Sequence, residues 1–204
     1  MFLKSPPSLI LASTSVYRRE LLARLKIPFE CHASGVDESP GAGETALALV
    51  ARLARAKAHA VAAGRPDACV IGSDQVAVLG ERERERGETV LGKPGSVASC
   101  IDQLLRCSGQ TLSFLTAVAV VRRTDSFLSE FIDTTRVAFR NLDRATVERY
   151  VAREAPLDCA GGFKSEGLGI SLCESIDNTD PTALVGLPLI QLAAVLRKLG
   201  FEVP

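Results

Sequence analysis

Hydrophobic positions along the chain follow two periods in turn, and their alternation predicts a mixed α/β fold. The run LILA at 9–12 is continuously apolar, as a buried strand is. After a Ser/Thr stretch, Leu21, Leu22 and Leu25 share one face of a helix. IPFECHAS alternates like a strand and leads into VDESPGAGET, whose Gly and Pro mark a loop. A long helix starts at Glu44 or Thr45, carries an apolar stripe at Leu49, Val50, Leu53 and Ala54, and stops at Gly64 and Pro66. Residues 68–79, ACVIGSDQVAVL, read as a buried strand in two apolar halves.

The second half keeps the same grammar. SVASCIDQLLRCSG predicts a helix ending at Gly109. TLSFLTAVAVVRR and SFLSEFIDTTRVAFR are β runs separated by Thr124-Asp125, an antiparallel hairpin that makes the sheet mixed. Asp143 can cap a helix running to about Arg153, with Pro156 beyond it. Asp180-Pro181 opens a segment containing GLPLIQLAAVLRKLG, an apolar C-terminal helix expected to pack on the sheet. No repeat or low-complexity linker interrupts residues 1–204, so a single domain is expected.

Charge narrows the partners. The 24 basic and 24 acidic side chains cancel, which argues against a broad nucleic-acid or membrane surface and leaves a small polyanion as ligand. MFLKSPPS lacks the apolar core of a signal peptide, and no apolar run reaches the ~20 residues that span a bilayer, so a cytoplasmic location is expected. The six cysteines contain no CxxC pair and the two histidines no zinc spacing. Most of the thiols are expected to be buried, with Cys100 and Cys107 on one helical face.

Several residues carry chemistry rather than packing. Arg18 and Arg19 fall in the first turn of the first helix, where positive charge is disfavoured unless an anion joins it. A phosphate-binding strand–turn–helix and a solvated basic turn both fit that pattern. Asp74 interrupts a buried strand, and a desolvated carboxylate needs a cation or a capping role. Gly92-Lys93-Pro94 sits in a segment that begins like a P-loop, but Pro94 replaces the Ser/Thr that would hold magnesium. Lys93 can still meet a phosphate as a point charge, or mark an ordinary turn. In DCAGGFKSEGLG, four glycines surround Lys164 and Glu166 and allow backbone to approach a ligand; a water-facing glycine loop is the alternative. The ERERER run at 81–86 is read as a solvated loop that turns outward. Cations at 18, 19, 57, 93 and 164 with acids at 37, 38 and 74 make an inventory for a phosphate ligand and a metal ion.

In order along the chain, LASTSVYRRELL, VDE, the helix Lys57, GSDQV, GKP and DCAGGFKSEGLGI resemble the Maf family of nucleoside triphosphate pyrophosphatases, over about Leu9 to Leu199. The resemblance implies an elongated mixed β-sheet flanked by helices, Maf/ITPase-like, with two lobes sharing one sheet and a central cleft. It implies hydrolysis of a nucleoside triphosphate to monophosphate and pyrophosphate with a divalent cation (Mg, Mn or Co), a nucleotide house-cleaning role. Asp74, Lys93 and Glu38 would be catalytic, and Glu38 with Asp74 would hold the metal. Ser13, Arg18, Arg19, Lys57 and Lys164 would bind phosphate. GSDQV and GGFKSEG are similar to the branch that prefers 7-methyl-GTP, which makes Tyr17, Gln75 and Glu166 the specificity positions; N7 methylation makes guanine cationic, suited to an aromatic face and a carboxylate. The family also implies a homodimer. Two departures stand out: the ERERER insertion before Lys93, and Val16 where a proline is common. A nucleotide-binding regulator of cell division that does not turn substrate over is the competing expectation.

Overall fold

A computed structural model of the chain describes residues 7–79 and 89–204. The Glu81–Arg86 charge run, and the expectation that it loops outward, therefore lie outside the described residues.

Seven strands form one sheet: β1 (Leu9–Leu11), β2 (Glu30–Cys31), β3 (Cys69–Leu79), β4 (Thr89–Leu91), β5 (Thr111–Arg122), β6 (Phe127–Phe139) and β7 (Cys173–Asp177). Their order is β2-β1-β3-β5-β6-β7, with β4 also on β3. β1 pairs parallel with both β2 and β3, whereas β4 and β7 join antiparallel. The helices are α1 (Val16–Ala23), α2 (Ala46–Ala62), α3 (Val97–Cys107), α4 (Arg144–Glu154) and α5 (Leu189–Lys198). The architecture is the mixed α/β sheet with flanking helices that the hydrophobic pattern predicts. Side-chain oxygens of Ser15, Thr45, Ser96 and Asp143 cap α1 to α4, so each helix starts where its sequence offers an acceptor.

The chain divides into two compact units. Unit 1 comprises residues 1–74, 116–133 and 180–204; unit 2 comprises 75–115 and 134–179. In unit 1, Leu9 and Leu11 of β1, Cys69 and Ile71 of β3, and Val118 and Val120 of β5 pack on Leu21 and Leu22 of α1 and on the apolar side of α5. These alternate positions, odd-numbered on β1 and β3 and even-numbered on β5, define one face of the sheet. The opposite face of β3 meets α2 so closely that a Cβ on Gly72 would lie 2.2 Å from the Ala54 carbonyl oxygen. Unit 2 has its own core around Phe163, whose ring lies 5.9 Å from Phe114 and 5.1 Å, edge-on, from Phe139.

Two expectations need correction. IPFECHAS contributes only Glu30–Cys31 to the sheet, because its sole partner, β1, is itself three residues long. Half of the thiols are buried rather than most: Cys69, Cys100 and Cys107 are, Cys31 is exposed, and Cys159 and Cys173 lie between. The C-terminal helix begins at Leu189, and Asp180 reaches it across a turn. The Asp180 carboxylate accepts from Ile190 N at 2.6 Å and from Thr182 N at 2.8 Å, while Thr182 Oγ1 accepts from Leu189 N at 2.9 Å.

Candidate active site

Lys57 lies on the buried face of α2, one turn after Ala54 and beside Ala58, the residues that abut Gly72. Asp74 is two residues beyond Gly72 and therefore on the same face of β3. The close approach that excludes a side chain at Gly72 thus carries the Lys57 ammonium onto the Asp74 carboxylate, Nζ to Oδ1 at 2.7 Å. Both residues are almost fully buried, at 5% and 6% exposure. The same Nζ meets Glu38 Oε1 at 2.6 Å, so one cation bridges two carboxylates, one buried and one exposed.

The loop that carries Glu38 is held from α2. Arg52 Nε and Nη2 donate to the two Glu44 oxygens at 2.7 and 2.8 Å, and Nη2 also reaches the Ser39 carbonyl at 3.0 Å. Asp37, the next residue to Glu38, accepts from Ser39 N and Oγ at 2.9 and 2.7 Å. It shapes the loop and makes no contact with Lys57. The Arg52 bonds, with one from Gly41 N, push Glu44 down to about 2.

Ser73 points to the other face and donates to the Gly186 carbonyl at 2.9 Å. Arg18 Nε donates to that same oxygen at 3.0 Å. Gly186 has φ +118, a conformation that favours glycine, and a Cβ there would press on Arg18 Nε at 3.3 Å. Thr116 Oγ1 donates to the Ala183 carbonyl at 2.9 Å and steadies this turn from β5. Ser13 Oγ accepts from Ser15 N at 3.1 Å, which folds the approach to α1. Tyr17 is partly exposed and Arg19 exposed on α1.

The charges act on one another. Burial raises the Asp74 carboxyl above its ordinary range; Lys57 and Arg18 oppose that shift, and Glu38 adds to it. Burial lowers Arg18, with Asp74 and Glu38 opposing. Unit 1 therefore gathers Arg18, Lys57, Glu38 and Asp74 into one electrostatic cluster.

The remaining predicted residues belong to unit 2. Gln75 is partly buried on β3. Lys93 is exposed in a turn tied at both ends to the second glycine loop: Gly161 N donates to the Gly92 carbonyl at 3.1 Å, and Gly95 N to the Leu157 carbonyl at 3.0 Å. Lys164 Nζ pairs with Glu154 Oε1 at 2.8 Å, and Glu154 Oε2 accepts from Leu168 N at 2.7 Å. Glu166 is exposed and accepts from Ser165 Oγ at 3.2 Å. The glycines here serve internal packing. A Cβ would meet Cys100 Sγ at 2.7 Å from Gly162, Glu154 Oε2 at 2.5 Å from Gly167 and the Lys164 carbonyl oxygen at 2.3 Å from Gly169.

Sequence reasoning missed Gly186, Asp180 and Thr116. The Asp-Pro-Thr at 180–182 was the available signal, an Asx turn ahead of an apolar helix.

The profile of the family described as "Maf-like protein" matches residues 8–199. A protein of Alkalilimnicola ehrlichii named 7-methyl-GTP pyrophosphatase is 54% identical over 195 residues, 96% of this chain and 94% of the relative. One of Pseudomonas putida with the same name is 50% identical over 196 residues, 96% of this chain and 98% of the relative. Among solved structures, the Staphylococcus aureus Ham1 protein is similar over 66% of this chain and 72% of that one, with a TM-score of 0.47 and 16% identity, too slight a likeness to bear on function.

Proposed function

The chain belongs to the Maf family, and from that premise we propose that it hydrolyses 7-methyl-GTP to the nucleoside monophosphate and pyrophosphate. The observation that carries the reading is Asp74, a buried carboxylate with a raised pKa, bonded to Lys57 and within the field of Arg18. A general base works best when its pKa lies near the operating pH, and burial moves Asp74 in that direction.

Asp74 takes a proton from water while the water oxygen bonds to the α-phosphorus. The bond from that phosphorus to the oxygen bridging the β-phosphate breaks, and pyrophosphate leaves with the bridging oxygen. Arg18 and Lys57 neutralise charge spreading over the phosphate oxygens, which is most of what a protein contributes to phosphoryl transfer. Ser13, Arg19, Lys93 and Lys164 are assigned to phosphate binding by their family positions, Lys164 on giving up its bond to Glu154.

Glu38 and Asp74 would hold the divalent cation. Among the described residues no group of three or more His, Cys, Asp or Glu could hold a metal ion, so no all-protein cage is available. Two carboxylates that already share one ammonium suit an ion such as magnesium, which uses one or two carboxylates and completes its shell with waters and substrate phosphates. When bound, the ion supplies neutralisation across the phosphate chain.

The test is pyrophosphate release from methylated and canonical nucleoside triphosphates in magnesium, manganese and cobalt. Release fastest from 7-methyl-GTP is expected. No release across the whole panel would overturn the enzyme reading in favour of a nucleotide-binding regulator.

A further inference from the structure

We infer that unit 2 carries an anion site of its own, a pocket in which Arg140, Arg149 and Arg153 bind inorganic phosphate groups. Thr146, Arg149, Tyr150 and Arg153 recur at helical spacing on one face of α4. Tyr150 anchors that face inward, its hydroxyl donating to the Gly162 carbonyl at 3.2 Å and accepting from Lys164 N at 3.0 Å. Arg149 and Arg153 are left at the rim, where Arg140 joins them from the end of β6. The cavity between them, about 180 Å³, is floored by Leu168 and Leu172 and has no carboxylate in its lining.

Three guanidiniums around one small hollow repel one another, and like charges four residues apart on a helix are unfavourable by themselves. Two of the three are already positioned. Arg140 Nε donates to the Ser171 carbonyl at 2.8 Å, and Arg149 Nη2 to Thr146 Oγ1 at 2.9 Å, which leaves the other N–H groups of each fork available. Arg153 has no hydrogen-bond or ion-pair partner among the described residues. Of the nearby acids, Asp143 caps α4 through Thr146 N and lies within the field of Arg149 and Arg140 without bonding either; Glu154 holds Lys164 and Leu168 N, and Glu148 faces Arg144 at 3.6 Å.

Guanidinium forks match phosphate oxygens two at a time. The volume sets the ligand class, since sites for drug-sized organic molecules run from roughly 300 to 1,000 Å³. A hollow of about 180 Å³, open to solvent on one side, matches the size of an inorganic phosphate or pyrophosphate group. The pocket shares no residue with the Lys57–Asp74 cluster, so this inference does not depend on the reaction proposed above.

Calorimetric titration of the whole protein with pyrophosphate, orthophosphate and sulfate at low salt, in the wild type and in R149Q/R153Q, tests it. The double variant is expected to lose one equivalent of pyrophosphate binding, or to weaken it at least tenfold, while pyrophosphate release from nucleotide stays within twofold. Tighter pyrophosphate than orthophosphate at the arginine-dependent site makes the ligand a diphosphate; equal affinities make it a single phosphate group, and either supports the site. A double variant that titrates like the wild type overturns it, as does sulfate binding as tightly as both phosphates. If circular dichroism shows the double variant unfolded, R153Q alone carries the same comparison.

Discussion

Asp74 is held between opposing influences, and its protonation should be visible in the rate. It accepts a proton only when ionised, and burial has raised it above 3.8. The acid limb of kcat/KM should therefore fall at a higher pH than an ordinary carboxylate gives, which a pH–rate profile reads directly. Asp74→Asn should lower pyrophosphate release by about 10²–10⁴-fold while nucleotide still binds. On the reading that Glu166 is a specificity position facing the cationic base, Glu166→Gln should narrow the preference for methylated over plain GTP; unchanged selectivity would assign the discrimination elsewhere. Asp133 on β6 is a different kind of acid. It is 4% exposed with Oδ1 unpaired, and burial together with the Asp180 charge raises it. An acid raised in the folded state binds its proton more tightly there than in the unfolded chain. Its stabilising contribution is complete below the unfolded value of about 3.8 and is lost as pH climbs through the raised folded value. Asp133→Asn, shaped like the protonated form, should raise Tm over the wild type at pH 8, with the gap closing towards pH 4. The residue scale was also the most legible from sequence for single groups. Lys57 breaks an apolar stripe and Asp74 breaks an apolar strand, but their mutual bond belongs to the packing of α2 on β3.

At the scale of elements, Gly72 and Asp180 decide where side chains end up. Gly72→Ala puts a methyl against the Ala54 carbonyl oxygen and, at 2.6 Å, against Ala58 N. Backbone cannot swing away as a side chain can, so α2 must lift from β3. A loss of about 1–3 kcal/mol in urea unfolding is expected, with a larger proportional loss of activity as Lys57 leaves Asp74. Gly64→Ala is the control, since no atom lies within 4 Å and φ is not positive there; it should be neutral or stabilising by up to about 1 kcal/mol. Asp180→Ala leaves the Ile190 and Thr182 amides without their acceptor and should destabilise by about 1–3 kcal/mol. It should also raise KM, because the turn it shapes carries the Gly186 carbonyl. The Asp143 carboxylate marked the start of α4, and periodicity found the long elements. It missed β7, where CESID has no alternation to show and pairing with β6 sets the strand. It placed α5 within GLPLIQLAAVLRKLG without a start, because the carboxylate that accepts from its first turn comes from nine residues before the helix and not from the position next to it.

At the scale of the whole molecule, zero formal charge leaves no net attraction to recruit a polyphosphate and puts the weight on local cations. Recognition depends on local cations, so raising ionic strength should act on KM and leave kcat nearly unchanged, a split that steady-state kinetics resolves. The chain order of the units is what sequence patterns could not display. Unit 1 is assembled from three separated stretches, and the last of them begins at Asp180.

That arrangement bears on how the protein is made. Arg18 leaves the ribosome 168 residues ahead of Gly186, whose carbonyl oxygen orients its guanidinium. An unfinished chain therefore has its arginine without the anchor that aims it, and prematurely terminated products should be unable to cleave the cell's nucleotides.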